Sequence, residues 1–188
     1  MHDVFEIVGY VNVVDRDSRV LRASMCPTAP GPFVERVAAG TFRRSLLSGQ
    51  DVQLKVDHKR TIGSVKDGTL WLSEDSIGLK AAVRTGDQEI IRAAQKRAIR
   101  GWSFAFGAAV DEWRRLEDGL YRRTLKVFDL REVSLLIESK PAYIATSAEF
   151  GGGSSAITEY RTWVPLGDPV ITALKANGLL TAIPKPHQ

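Results

Sequence analysis

Along the first 150 residues, short runs of β-branched and aromatic residues recur, each closed by an Asp, Gly or Pro turn. That rhythm constrains the fold more than any other feature, because such strands need neighbours before they can bury a face. Phe5 to Val14 reads as a strand, Asp15 to Ser18 as its turn, and Val20 to Ala23 as a return strand. Val52 to Val56 is a short strand with Val52, Leu54 and Val56 on one face. A turn at Asp67-Gly68 leads into Thr69 to Leu72 and then Gly78 to Val83, with Trp71 a core or barrel-wall residue. Ser103 to Trp113, Leu120 to Leu130 and the apolar Glu132 to Ile137 read as antiparallel neighbours. Helical periodicity is clear only over Asp87 to Arg100, where Ile90, Ile91, Ala94 and Ala98 share a face. Thr85 or Asp87 can cap that helix, and Gly101 stands where a C-terminal cap glycine is expected. Phe33 to Leu47 is helical in part, broken at Gly40-Thr41. The pattern predicts an α+β fold, a small mostly antiparallel β-barrel with two or three helices.

The 188 residues suit one domain with an appendage. We place the domain at residues 1–150, a flexible Gly-Gly-Gly-Ser-Ser linker at 151–155 and a C-terminal tail at 156–188. The net charge of +4 comes from 26 basic and 22 acidic residues that are interspersed, which is a solvated surface and not a nucleic-acid footprint. A single cysteine, Cys26, excludes a disulfide framework within the chain. No run approaches the ~18 apolar residues of a membrane span, and Met-His-Asp-Val-Phe-Glu lacks the pattern of a signal peptide. A soluble cytoplasmic product is expected.

Chemistry narrows on three residues. The histidines are His2, His58 and His187, and two of these are terminal, so a histidine-dependent mechanism must use His58. It ends the Val52 to Val56 strand; the plain alternative is a surface histidine beside Asp57. Asp57 could pair with Lys55 or Lys59, and an adjacent strand residue points to the opposite face, which makes it a poor orienter of His58. Ser103 follows a helix and Gly101 and opens an aromatic strand, a junction that exposes a hydroxyl and free backbone N–H groups. Its alternative is an ordinary strand-start serine. Glu132 is a carboxylate in an apolar segment and asks for a partner, either His58 or a structural salt bridge. Ser134 shares its face and is the rival nucleophile. One internal histidine and one cysteine cannot supply the usual N/S ligands of zinc, and Gly151-Gly-Gly-Ser is no phosphate loop. Trp102, Phe104 and Phe106 alternate with Ser103 and Ala105, which makes them core residues before stacking platforms.

Four stretches together resemble the prohead proteases of tailed bacteriophages, capsid maturation serine proteases distantly related to the herpesvirus assemblins. They are Ala39-Gly-Thr-Phe42, Val56-Asp-His58 with Ile62-Gly63, Arg100-Gly-Trp-Ser-Phe-Ala-Phe106, and Leu130-Arg-Glu-Val-Ser-Leu135 leading to Pro141-Ala142. The likeness spans about residues 5–149. It implies an assemblin-like fold, with His58 as base, Ser103 as nucleophile and Glu132 as third member. Ala105 stands where the family has a glycine. The resemblance further implies an endopeptidase needing no cofactor, acting in the host cytoplasm inside the assembling prohead. Its substrate would be the major capsid protein or a scaffold domain, with self-processing and possible self-association, and without membrane or specific nucleic-acid partners. A non-catalytic capsid- or scaffold-binding protein and, less favoured, a nucleic-acid-binding barrel are the alternatives.

Overall fold

Alternation in the sequence becomes two sheets wrapped around one apolar core. The computed structural model describes residues 5–139 and the backbone of residues 149–152. In chain order the described strands are β1 (Phe5–Val13), β2 (Phe33–Val37), β3 (Gln53–Val56), β4 (Arg60–Ser64), β5 (Leu70–Glu74), β6 (Gly78–Thr85), β7 (Gly101–Arg115), β8 (Tyr121–Leu136) and β9 (Glu149–Gly152). The helices are α1 (Thr41–Leu47) and α2 (Gln88–Gln95). One sheet runs β5-β6-β1-β9 and is antiparallel throughout. The other is built on β8: β7 pairs antiparallel along one side, while β2 and β3 pair parallel to its two halves on the other, with β4 beyond β3. The class is thus α+β and mostly strand, as expected. The described strands form two sheets, and no closed ring of hydrogen-bonded strands forms among the described residues, so the expected barrel is not shown. No helix of the described residues is long and apolar enough to cross a membrane.

Several local expectations are corrected. Phe33–Val37 is a strand, not the start of a helix. Val20 to Ala23 does not return along β1; Leu21 makes one bridge to Phe33, and Ala23–Met25 is a 3-10 turn. The stretches around Leu120 to Leu130 and Glu132 to Ile137 are one strand, β8, interrupted by a bulge. Gly151 and Gly152 close β9 against Glu6 and Phe5. The rest of the expected linker, 153–155, and the tail, 156–188, lie outside the described residues.

The core explains the arrangement. Leu54 and Val56 from β3, Trp102 and Phe104 from β7, and Leu130, Val133 and Leu135 from β8 are all buried in one cluster. The rings of Phe42, Phe104, Phe106 and Phe128 stack and meet edge-on within it, geometry that adds to their area burial. Trp102 and Phe104 are therefore core, as the alternation indicated. Helix α1 is held by a distant carboxylate: Glu74 accepts the backbone N–H of Gly40 and of Arg43, both at 2.6 Å. Helix α2 has Asp87 as its N-cap, accepting from the N–H of Glu89 and Ile90. It ends sooner than its periodicity implied. Ala98 N–H bonds Ala93 O and Arg97 N–H bonds Ala94 O, a Schellman closure with Arg97 at φ 53°. Arg97, not Gly101, is the residue in the cap conformation.

Candidate active site

The site face of the β8 sheet is the one turned away from the core. Because Leu54 and Val56 point inward, Lys55 points outward. Because Trp102 and Phe104 point inward, Ser103 points outward. Glu132 needs a bulge to do the same. Ala105 pairs with Glu132, and the next residue, Phe106, pairs with Leu130, so Arg131 is the extra residue. Without that insertion Glu132 would share the inward face of Leu130; with it, Leu130 and Val133 both bury and Glu132 and Ser134 face the site. The Arg131 guanidinium lies over Gly107, where an added Cβ would come within 2.6 Å of it. Register then lines up one row across three strands: Lys55 beside Ser134, and Ser134 beside Ser103.

His58 arrives on the β3–β4 turn. Asp57 and His58 have φ of 47° and 61°, and Lys59 N–H bonds Val56 O at 2.9 Å, the signature of a type I′ hairpin turn without its usual glycine or asparagine. The conformation is held from β8. Ser134 Oγ accepts the His58 backbone N–H at 2.9 Å. The Asp57 carboxylate accepts the N–H groups of Ile137, Glu138 and Ser139. Burial would raise the Asp57 carboxyl, but these hydrogen bonds outweigh it and hold it below the usual range. Asp57 thus has no role as a partner of Lys55 or Lys59, since Lys59 pairs with Glu138 and Lys55 with Glu132.

The imidazole reaches back to β8, where its Nδ1 lies 2.5 Å from Glu132 Oε1, across 74 positions of sequence. Lys55 Nζ takes the other oxygen, Oε2, at 2.6 Å. Burial opposes ionisation of Glu132; the hydrogen bonds and charges of Lys55 and His58 prevail and keep its carboxyl below the ordinary value. With Nδ1 committed to a carboxylate, Nε2 is the ring nitrogen left to exchange a proton, and the His58 side chain is 39% exposed.

Of the three residues singled out from sequence, His58 and Glu132 are in contact and Ser103 stands on the same face, one strand beyond Ser134. The hydrogen bonds of His58 go to Glu132 and Ser134. Ser134 is fully buried and already accepts from the His58 backbone, whereas Ser103 is only half-buried. Of the two hydroxyl-bearing residues, Ser103 is thus the one with solvent exposure. Lys55 was missed as a site residue. The alternation Gln53-Leu54-Lys55-Val56 put it on the outward face, but nothing local reveals that β3 runs parallel to β8.

An imidazole polarised by a carboxylate, with a half-exposed serine on the same face, is the equipment of a serine peptidase. Comparison with protein-family models agrees: the caudovirus prohead serine protease family matches residues 2–159, and the chain belongs to that family. No curated protein matches it significantly.

Proposed function

We propose that this chain is a serine endopeptidase that cleaves capsid or scaffold proteins in the host cytoplasm, within the assembling prohead. The observation that carries the reading is the His58–Glu132 pair, assembled from distant strands on the face that also presents Ser103. Ser103 Oγ gives its proton to His58 Nε2 and attacks the peptide carbonyl. His58 then passes that proton to the departing amine, and a water activated by the same nitrogen releases the acyl group. The ionised Glu132 fixes the imidazole and stabilises its charged form. Apo sites of this kind tighten when substrate binds, which suits a Ser103 not yet bonded to His58. No step calls for a cofactor.

The test is co-expression with the cognate capsid protein. Ser103→Ala abolishes cleavage and keeps the fold, since the exchange removes one oxygen at a strand start; Ser134→Ala lowers cleavage without abolishing it. The reverse result would exchange the two assignments, and a capsid protein left uncleaved by the wild-type chain would make a non-catalytic assembly role the better reading. We also propose that the enzyme processes itself. A glycine-rich stretch followed by a chain poor in core-forming residues has the composition of a cleavable segment. Intact-mass measurement after prolonged incubation checks this: wild type loses the segment beyond about the glycine run, and Ser103→Ala retains it.

A further inference from the structure

We propose that Lys55 is a positioning residue of this site, its ammonium holding the second oxygen of Glu132 so that the first stays aimed at His58. The inference rests on the assignment of His58 and Glu132 above. A glutamate carboxylate turns about a soft terminal torsion. Held at one oxygen it can swing; held at both it cannot. Here Oε1 meets His58 Nδ1 at 2.5 Å and Oε2 meets Lys55 Nζ at 2.6 Å. The Glu132 side chain is 11% exposed, so little water is at hand to replace a lost partner. Removing the ammonium would leave one oxygen of a nearly buried anion without compensation.

The topology makes the grip specific. Lys55 and His58 lie three residues apart on one hairpin, and Glu132 lies on the strand against which that hairpin packs. One element therefore supplies both the base and the clamp on the base's partner. Lys55 is placed by register beside Ser134 in the row that ends at Ser103, and its own side chain is 23% exposed, with its ammonium on the carboxylate. A general-base role for Lys55 is not favoured, because its nitrogen is engaged in this ion pair. The neighbouring charges are occupied elsewhere: Asp57 on backbone N–H groups, and Lys59 on Glu138.

The experiment uses the full chain with Lys55→Met, Lys55→Gln and Lys55→Arg. Turnover is measured on a peptide spanning a cleavage site mapped with the wild-type enzyme. Lys55→Met lowers kcat by about tenfold or more, within the 10²–10⁴ that general base catalysis supplies, with KM nearly unchanged. Lys55→Gln, which keeps an uncharged N–H donor group, falls between, and Lys55→Arg recovers most of the loss. A second readout needs no turnover. In a Ser103→Ala background the His58 Nδ1–H proton gives a far-downfield resonance, assigned by its absence in His58→Gln. Lys55→Met moves it upfield or broadens it, and Lys55→Arg retains it. If Lys55→Met keeps both the resonance and kcat, the proposal is overturned. If Lys55→Met does not fold, the ordering of Lys55→Gln and Lys55→Arg decides: equal turnover and equal resonances sink the idea. Cleavage that survives His58→Gln would instead sink the assignment of the base, while the resonance still reports whether Lys55 orients Glu132.

Discussion

Ser134 accepts the backbone N–H of His58 at 2.9 Å, and this bond ties the turn that carries the imidazole to the strand that carries its carboxylate. The turn needs such ties. Two successive non-glycine residues at positive φ cost about 1 kcal/mol or more each. Ser134→Ala orphans the N–H in a part-buried setting, a loss of about 1–3 kcal/mol. Denaturant unfolding reads that loss directly. Cleavage falls but is not abolished, because the imidazole is displaced and the nucleophile is intact. A variant as stable as wild type would show that the turn is held by Asp57 alone.

Asp57 makes the same turn sensitive to acid. Its carboxyl is held below the usual carboxylate range in the folded state, and so is that of Glu132. For depressed groups the stabilisation is complete above the unfolded pKa, about 4, and disappears as pH falls through the lower folded value. The protein is therefore destabilised progressively below about pH 4–5. Asp57→Asn tolerates the left-handed backbone but cannot titrate. It lowers stability at neutral pH and flattens the acid dependence. Unfolding free energies at several pH values check both parts; parallel wild-type and Asp57→Asn curves would contradict the assignment.

How much of this was readable beforehand depends on whether the cause was local. Val52, Leu54 and Val56 announced a strand by alternation, and all three are buried. Asp87 announced a helix cap and is one. Pairing partners are not local: β2 and β3 both lie parallel to β8, from which they are separated by most of the domain. Irregularities also hide signals. The extra residue Arg131 breaks the alternation of β8, so a single strand reads as two. In Phe33–Val37 the buried Glu35, paired with Arg123, interrupts the expected polarity pattern. His58 reads as a strand end because no glycine marks its turn. Asp57 does not orient His58, because its carboxylate is spent on three backbone N–H groups and not because of strand alternation.

Glu74 is a distant cap with a measurable contribution. It is 2% exposed and accepts two N–H groups at the start of α1, a helix that has no side-chain cap of its own. A negative charge there also complements the helix dipole. Glu74→Gln keeps the shape, removes the charge and sets an NH₂ against a backbone donor. The expected loss is about 1–3 kcal/mol, read by thermal or denaturant unfolding. Cleavage by the remaining folded enzyme changes little, since α1 carries none of the proposed site residues.

Gly101 controls how Ser103 is delivered. The chain leaves α2 through Arg97 at φ 53° and enters β7 at Gly101 with φ 143°, a value that side chains of L-residues rarely adopt. Immediately beyond, Trp102 and Phe104 are locked into the core, so β7 cannot turn to relieve a strained start. Arg100 N–H and the Gly101 pairing both fix the entry against Leu136. Gly101→Ala must therefore distort the two residues before Ser103. We expect a destabilisation above about 1 kcal/mol and a larger proportional loss of turnover, because the backbone N–H groups around the serine shift with it. Arg97→Gly is the counterpart. It relieves a left-handed arginine at an exposed helix end and stabilises by roughly 0.5–1 kcal/mol without changing turnover. Thermal melts and cleavage assays on both variants separate the effects. Equal behaviour of Gly101→Ala and wild type would mean that the junction accepts an ordinary strand conformation and that the glycine does not set the position of Ser103.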